Sequence, residues 1–339
     1  MFGQHQTTRN GYHNLKIEPG DIKHLVYHHP EFVAYKDRAD AIFAVWRARN
    51  TPLLKGLEIG TKPKDLIHQI SEDILSVFGN VPLVDKYDVY QHLMSYWSGV
   101  MQDDVYLIAT GDWAADSDLI PSYLVVNRYF TVERDTIAQL ETDRETVVRE
   151  REELEEEHGG EEGTLENLKN DKGKISRPAV QERVFELRDE ILEGAQFSFE
   201  QKRFAKQIKK EFFKLDWQKG IRDEAEIFSE LDVLHDYLSL VEAEATATKR
   251  VREARLALDR KVAAKYREIS VDEIKTLVVD DKWMAALNAA IKSELERIAQ
   301  NLTGRIKTLA TRYAAPLPEL TAEVEKLSAK VDAHLAKMG

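Results

Sequence analysis

Apolar residues recur every three or four positions along most of this chain, a period that predicts helices. In "EFVAYKDRADAIFAVWRARN", Phe32, Tyr35, Ala39, Ile42, Phe43 and Trp46 share one helical face. Pro63 fits the first turn of a helix carrying Leu66, Ile67, Ile70 and Ile74 to Phe78, and Gly79 stands where a helix ends. In "VDKYDVYQHLMSYWSGVMQDDVYLI", Asp85 is placed to cap a helix. Tyr87, Tyr90, Met94, Trp97 and Met101 follow at steps of 3, 4, 3 and 4, one face of an amphipathic helix. That stripe reads as core. Base stacking needs basic neighbours for the phosphates, and the neighbours here are Asp85, Asp88, Asp103 and Asp104. "VYLIA" reads as a buried strand, and "GYHNLKIEPGDIKHLV" as a short strand, a turn at Pro19 and Gly20, and a helix start.

From Pro121 onward the pattern changes to long helices. Ile137, Leu140, Val147 and Leu154 fit a heptad seam interrupted by Arg144 and Arg151. "HGGEEG" is a turn, and "NDKGKISRP" is a second break with Ser176 or Arg177 ahead of a helix started by Pro178. Between Asp223 and Tyr266, Leu231, Leu234, Leu238, Val241, Ala245 and Thr248 form a seam that Val251, Arg255, Leu258 and Val262 continue after a phase shift. Ser270 and Glu273 make a capping box. A stripe from Trp283 through Leu287, Ile291, Leu295, Ile298, Leu302, Ile306 and Leu309 to Tyr313 ends at "AAPLP". Leu320, Val324, Leu327, Val331 and Leu335 mark a last helix.

The expected class is therefore mainly α. A small mixed α/β unit occupies residues 1–127, long coiled-coil-like arms residues 128–267, and a C-terminal helical bundle for assembly residues 268–339. Stripes of this length must pack on one another or on another chain. Trp283, Leu287, Ile298, Leu302 and Leu309 are the candidate partner-interface residues.

Composition narrows the function. The 339 residues include no cysteine, which removes disulfides, thiolate zinc sites and thiol nucleophiles. No apolar run is long enough for a signal peptide or a membrane span, so a cytoplasmic location is expected. A formal charge of −12 argues against indiscriminate coating of nucleic acid, although local charge can oppose the average. From Glu133 to Glu166 there are 14 acidic and 4 basic residues, which suits a solvated coiled-coil face. Residues 199–222 reverse the sign and interleave aromatics with lysines. Lys202, Lys206, Lys209, Lys210 and Lys214 are the DNA-contact candidates, the alternative being that they pair with the acidic arm.

No phosphate-binding glycine loop, zinc-protease H-E-x-x-H or nucleophile-elbow motif occurs. His24 and His28 lie four apart and could be two metal ligands on a helix, but a third ligand is not evident. No catalytic, cofactor-binding or metal-binding residues are assigned. On the residues alone, a stand-alone coiled-coil scaffold or DNA-organising protein is also open.

Several segments resemble the modification (M) subunit of type I restriction-modification systems. They include "LKIEPGDIKHLVYHHPEF", "KPKDLIHQISEDIL", "PLVDKYDVYQHLMSYWSGVMQDDVYLI", "DLIPSYLVVNRYF", "EIKTLVVDDKWMAAL" and "LTGRIKTLATRYAAPLPELTAEVEKLSAKVDAHLAKMG". The likeness falls on the part of that subunit that follows its catalytic domain. It implies a role in an adenine-specific DNA methyltransferase using S-adenosylmethionine, as the region that packs on the specificity (S) subunit. The implied complex holds two M and one S and can recruit the restriction subunit. The family's catalytic motif, an Asn or Asp before two prolines and an aromatic, has no match, because no two of the nine prolines are adjacent. What the resemblance carries over is assembly and DNA clamping, with no catalytic or cofactor residues.

Overall fold

The computed structural model describes residues 18, 20–161, 163–170, 172–208, 226–312 and 317–338, leaving out the side chains of 317–320. The fold is mainly α. Among the described residues the β structure is an isolated bridge between Lys169 and Ile175. The chain divides into two compact units, residues Met1–Leu124 with Glu268–Gly339, and residues Val125–Arg267. The segment after Glu268, expected as a separate assembly region, belongs instead with the N-terminal unit.

The first unit begins with α1 (Ile22–His28), α2 (Pro30–Lys55) and α3 (Pro63–Val77). Prolines open α2 and α3, where their missing N–H costs no helical hydrogen bond. Of the face expected on α2, Phe32, Ala39, Phe43 and Trp46 are buried, and Tyr35 and Ile42 are half-buried. α4 (Lys86–Tyr96) starts at Asp85, whose carboxylate accepts the Tyr87 N–H at 2.8 Å. A π-helical turn (Trp97–Met101) joins it to α5 (Gln102–Gly111). The strand expected at "VYLIA" is therefore helical, and the strand expected ahead of Pro19 lies outside the described residues.

The buried face of α4 and α5 is also offset from the expected one. Val89, Leu93, Trp97, Met101 and Val105 are buried, whereas Tyr87 is 62% exposed. Steps of four drift by about 40° each around an α-helix. The wider π turn removes that drift between Trp97 and Met101, so that both point inward.

The C-terminal part of this unit starts with α11 (Val271–Lys275), capped by Ser270 and Glu273 as the sequence predicts. A nine-residue π-helical stretch (Thr276–Met284) leads into α12 (Ala285–Arg312). α12 packs on α1, α2 and α4, and the π stretch packs on α2. The core they close includes Ile22, Trp46, Ile70, Phe78, Leu93, Ile120 and Trp283. Buried indole N–H groups find carbonyl partners, Trp46 on Ile70 at 3.3 Å and Trp113 on Leu57 at 2.8 Å. α13 (Leu317–Met338) differs from all of these, because its described side chains are exposed throughout. Among the described residues it forms no bundle.

The second unit holds α7 (Thr131–His158), α8 (Arg177–Glu193), α9 (Phe199–Ala205) and α10 (Glu226–Lys265). α6 (Ser122–Tyr129) leads into it, and a break at Phe130 separates α6 from α7. Ser176 caps α8 by accepting the Ala179 N–H. Ion pairs fix α7 against α10 as antiparallel: Glu133 meets Lys261, Glu141 meets Arg255, and Arg151 meets Glu244. Near the turn, α8 and α9 join the N-terminal half of α10 around Val184, Leu187, Ile191, Phe204, Leu231 and Leu234. The remaining half of α10 lies along α7 alone among these helices, and no α7 residue is fully buried. Two helices by themselves cannot enclose a core.

Among the described residues, no helix is long and apolar enough to cross a membrane.

Candidate functional site

The segment "LVVDDKW" lies on the π-helical stretch, and its polar side chains are used inside the first unit. Asp280 accepts from Lys55 at 2.6 Å and from Arg47 at 3.1 Å, which fastens the stretch to α2. Burial works to raise the Asp280 carboxyl, but the hydrogen bonds and charges of Lys55 and Arg47 together hold it below the ordinary value. Lys282 and Trp283 turn the other way. Lys282 Nζ donates to Asp104 and to the Leu119 carbonyl, each at 2.8 Å, and Trp283 Nε1 donates to the other Asp104 oxygen at 2.8 Å. Asp104 is 4% exposed and Lys282 7%.

Burial dominates at Asp104 and pushes its carboxyl above the usual range, against the hydrogen bonds from Lys282 and Trp283. Tyr96, whose hydroxyl donates to the Lys282 carbonyl, is pushed up by burial and then by the Asp104 charge. A charge pair whose polar atoms are all engaged with the protein is a clamp between α5 and the π stretch. Both residues sit beside other charges, Asp103 in "MQDDVYLI" and Asp280 and Asp281 in "VVDDKWM", so no local signal in the sequence pairs them.

This clamp decides the fate of the candidate interface residues. Trp283 is 0% exposed and Leu287 3%, so they are core and cannot anchor a partner. The phase of the π stretch turns Trp283 toward Asp104, and helices from the first third of the chain cover both side chains. Ile298 is half-buried, while Leu302 and Leu309 are 45% and 51% exposed. The interface candidates thus reduce to the last turns of α12.

α13 extends the same character. Val324, Leu327, Val331, Leu335 and Met338 are between 52% and 85% exposed. In a heptad register Val324 and Val331 occupy a positions, and Leu327 a d position, the seam of a two-stranded coiled coil. Exposed apolar seams of this length mark interaction sites in soluble proteins.

His24 and His28 stack with ring centroids 4.1 Å apart, and His28 Nδ1 lies 2.7 Å from the His24 carbonyl. They border a groove of about 480 Å3 whose other walls include Leu25, Phe32, Leu83, Leu302 and Ile306. Among the described residues no group of three or more His, Asp or Glu could hold a metal ion. The groove is an apolar continuation of the α12 surface.

Of the DNA-contact candidates, Lys202 is half-buried on α9 and Lys206 is exposed just beyond it. Lys209, Lys210 and Lys214 lie outside the described residues. Phe204 is core and Phe199 is 82% exposed, so these two aromatics do not share one stacking face; Phe212, Phe213 and Trp217 lie outside the described residues. A second basic surface, on α10, was hidden in the sequence by its heptad pattern.

Compared with models of protein families, with curated proteins and with solved structures, the chain matches none.

Proposed function

We propose that this chain is an assembly and DNA-clamping region of a type I restriction-modification adenine methyltransferase M subunit. Its exposed C-terminal helices pack on helical spacers of the specificity subunit. Methyl transfer with S-adenosylmethionine then belongs to a catalytic domain whose motifs do not occur in these residues, and the complex acts on cytoplasmic DNA. The observation that carries the reading is the apolar seam of α13, continued by Leu302 and Leu309 on α12. A helix that presents Val324, Leu327 and Val331 to solvent is built for a helical partner, because isolated helices gain most of their stability from packing an apolar face. The segments quoted above for the M subunit supply the identity of that partner.

The test is calorimetric titration of the full chain with the specificity subunit, comparing wild type with L327D/V331D. Both positions are exposed in the free chain, so the variant should keep its thermal midpoint within about 2 °C. Anchors in a desolvated seam cost about 2 kcal/mol or more each, so affinity should fall by a factor on the order of 1,000. Unchanged affinity would remove the seam from the interface. Self-association through α13 without binding to the specificity subunit would favour the scaffold reading.

A further inference from the structure

Residues 249–267 hold eight lysines and arginines against two acidic residues, a net of +6 in a chain of net −12. The structure shows which of these charges are already used. Arg255 and Lys261 pair with Glu141 and Glu133 of α7, and Lys265 lies over the Tyr129 ring at 4.4 Å. Arg250 borders a cavity with Asp143 of α7 and is exposed, with no ion pair among the described residues. Lys249, Arg252 and Arg260 are exposed. Among the described residues Arg252 and Arg260 make no ion pair. Lys249 reaches only Glu253, at 3.9 Å, with both side chains more than half exposed.

At about 100° per residue these three cations fall within roughly 80° of one another around α10. Their face is centred roughly 130° away from buried Val251 and Val262, so it looks away from the α7 seam. With a rise of 1.5 Å per residue they are spread over about 16 Å of helix, too far to converge on one small anion. A row of cations along one helix suits a polyanion with regularly repeating charge. Two of the three are arginines, whose planar guanidinium meets phosphate oxygens in pairs.

The residues between them tell against other surfaces. Leu256 is the one bulky apolar side chain on this face, among Ala245 and Ala263, too little to seat a helix in a lipid interface. The face has no aromatic side chain on which unpaired bases could stack.

We infer that Lys249, Arg252 and Arg260 form a contact surface for the phosphate backbone of duplex DNA. The inference deepens the clamping half of the proposed function and rests on it. Sequence readout is not expected from this face, because contacts to phosphates position a duplex without specifying its bases.

The experiment is fluorescence anisotropy of the full chain with a labelled 30-base-pair mixed-sequence duplex between 50 and 200 mM KCl. Each neutralised phosphate contributes about 0.9 to the slope of log affinity against log salt. K249Q/R252Q/R260Q should therefore flatten that slope by about 2.7 and weaken binding at 50 mM salt. R252K, which keeps the charge, should retain the slope. K326Q/K330Q/K337Q removes three exposed charges from α13 and should change little. Equal losses in both triple variants, or none in either, would overturn the assignment. So would binding of poly-glutamate but not of the duplex through the α10 residues, which would mark an acidic protein as the partner. Circular dichroism checks that each variant is folded. Titration of K249Q/R252Q/R260Q with the specificity subunit separates the two readings: DNA binding lost with the subunit retained supports the α10 surface. DNA binding through α10 without subunit binding would fail the assembly reading alone.

Discussion

Replacing Lys282 by methionine removes a charge partner from a carboxylate that is 4% exposed. Asp104 would keep one donor, Trp283 Nε1, and the Leu119 carbonyl would lose its Lys282 hydrogen bond. Breaking a buried pair by deleting one partner costs about 3–5 kcal/mol. The alternative is for Asp104 to take a proton. Against an unfolded value of about 3.9, that costs about 1.4 kcal/mol per pH unit, or about 4 kcal/mol at pH 7 and 1.5 at pH 5. Wild-type Asp104 already lies above the usual range, so part of this cost is present before the substitution. The expected loss is about 3 kcal/mol at pH 7 and about half of that at pH 5. For a unit of this size it corresponds to a midpoint about 6–12 °C lower at neutral pH. Tryptophan fluorescence is the assay, because Trp46, Trp97, Trp113 and Trp283 are all buried in the first unit. Adding D104N should recover most of the loss, since no charge then remains buried. A K282M loss below about 1 kcal/mol, or one that does not shrink with acid, would refute the clamp. So would a double variant no more stable than K282M.

Two further outcomes follow from neighbouring groups. Asp280 has a lowered pKa, so its contribution is complete above the unfolded carboxylate value and is lost as pH falls through its folded value. D280N should therefore flatten the loss of stability below about pH 4, and an acid unfolding curve parallel to wild type would contradict the Lys55 and Arg47 assignment. S270A removes the hydroxyl that accepts the Glu273 N–H, and should cost about 1 kcal/mol, read as a midpoint about 2–4 °C lower.

Local features of the fold were legible in the sequence. Pro63 starts α3, Ser176 and Ser270 cap their helices, and the Phe32–Trp46 face is buried. Those signals act within one or two turns. "VYLIA" was misread because a short apolar run does not distinguish a buried strand from a buried helix. The tyrosine stripe was displaced because Val89 and Leu93 take the inward positions of α4 in place of Tyr87 and Tyr90, a choice of face that helical spacing alone does not make. Trp283 looked like an anchor because the residues that cover it lie far away, with its partner Asp104 179 positions earlier. The apolar seam of α13 was legible as a pattern, but whether the chain covers it itself was not. The basic face of α10 required knowing which arginines α7 already engages.

Docking of the α12 and α13 seam on a specificity subunit is the proposal on which the rest depends. Its most direct test is light scattering after size exclusion of this chain mixed with that subunit. One co-eluting species of defined mass holding both proteins is expected, and it should be lost in L327D/V331D. Two separate peaks at micromolar concentration, with the wild-type chain folded, would contradict it.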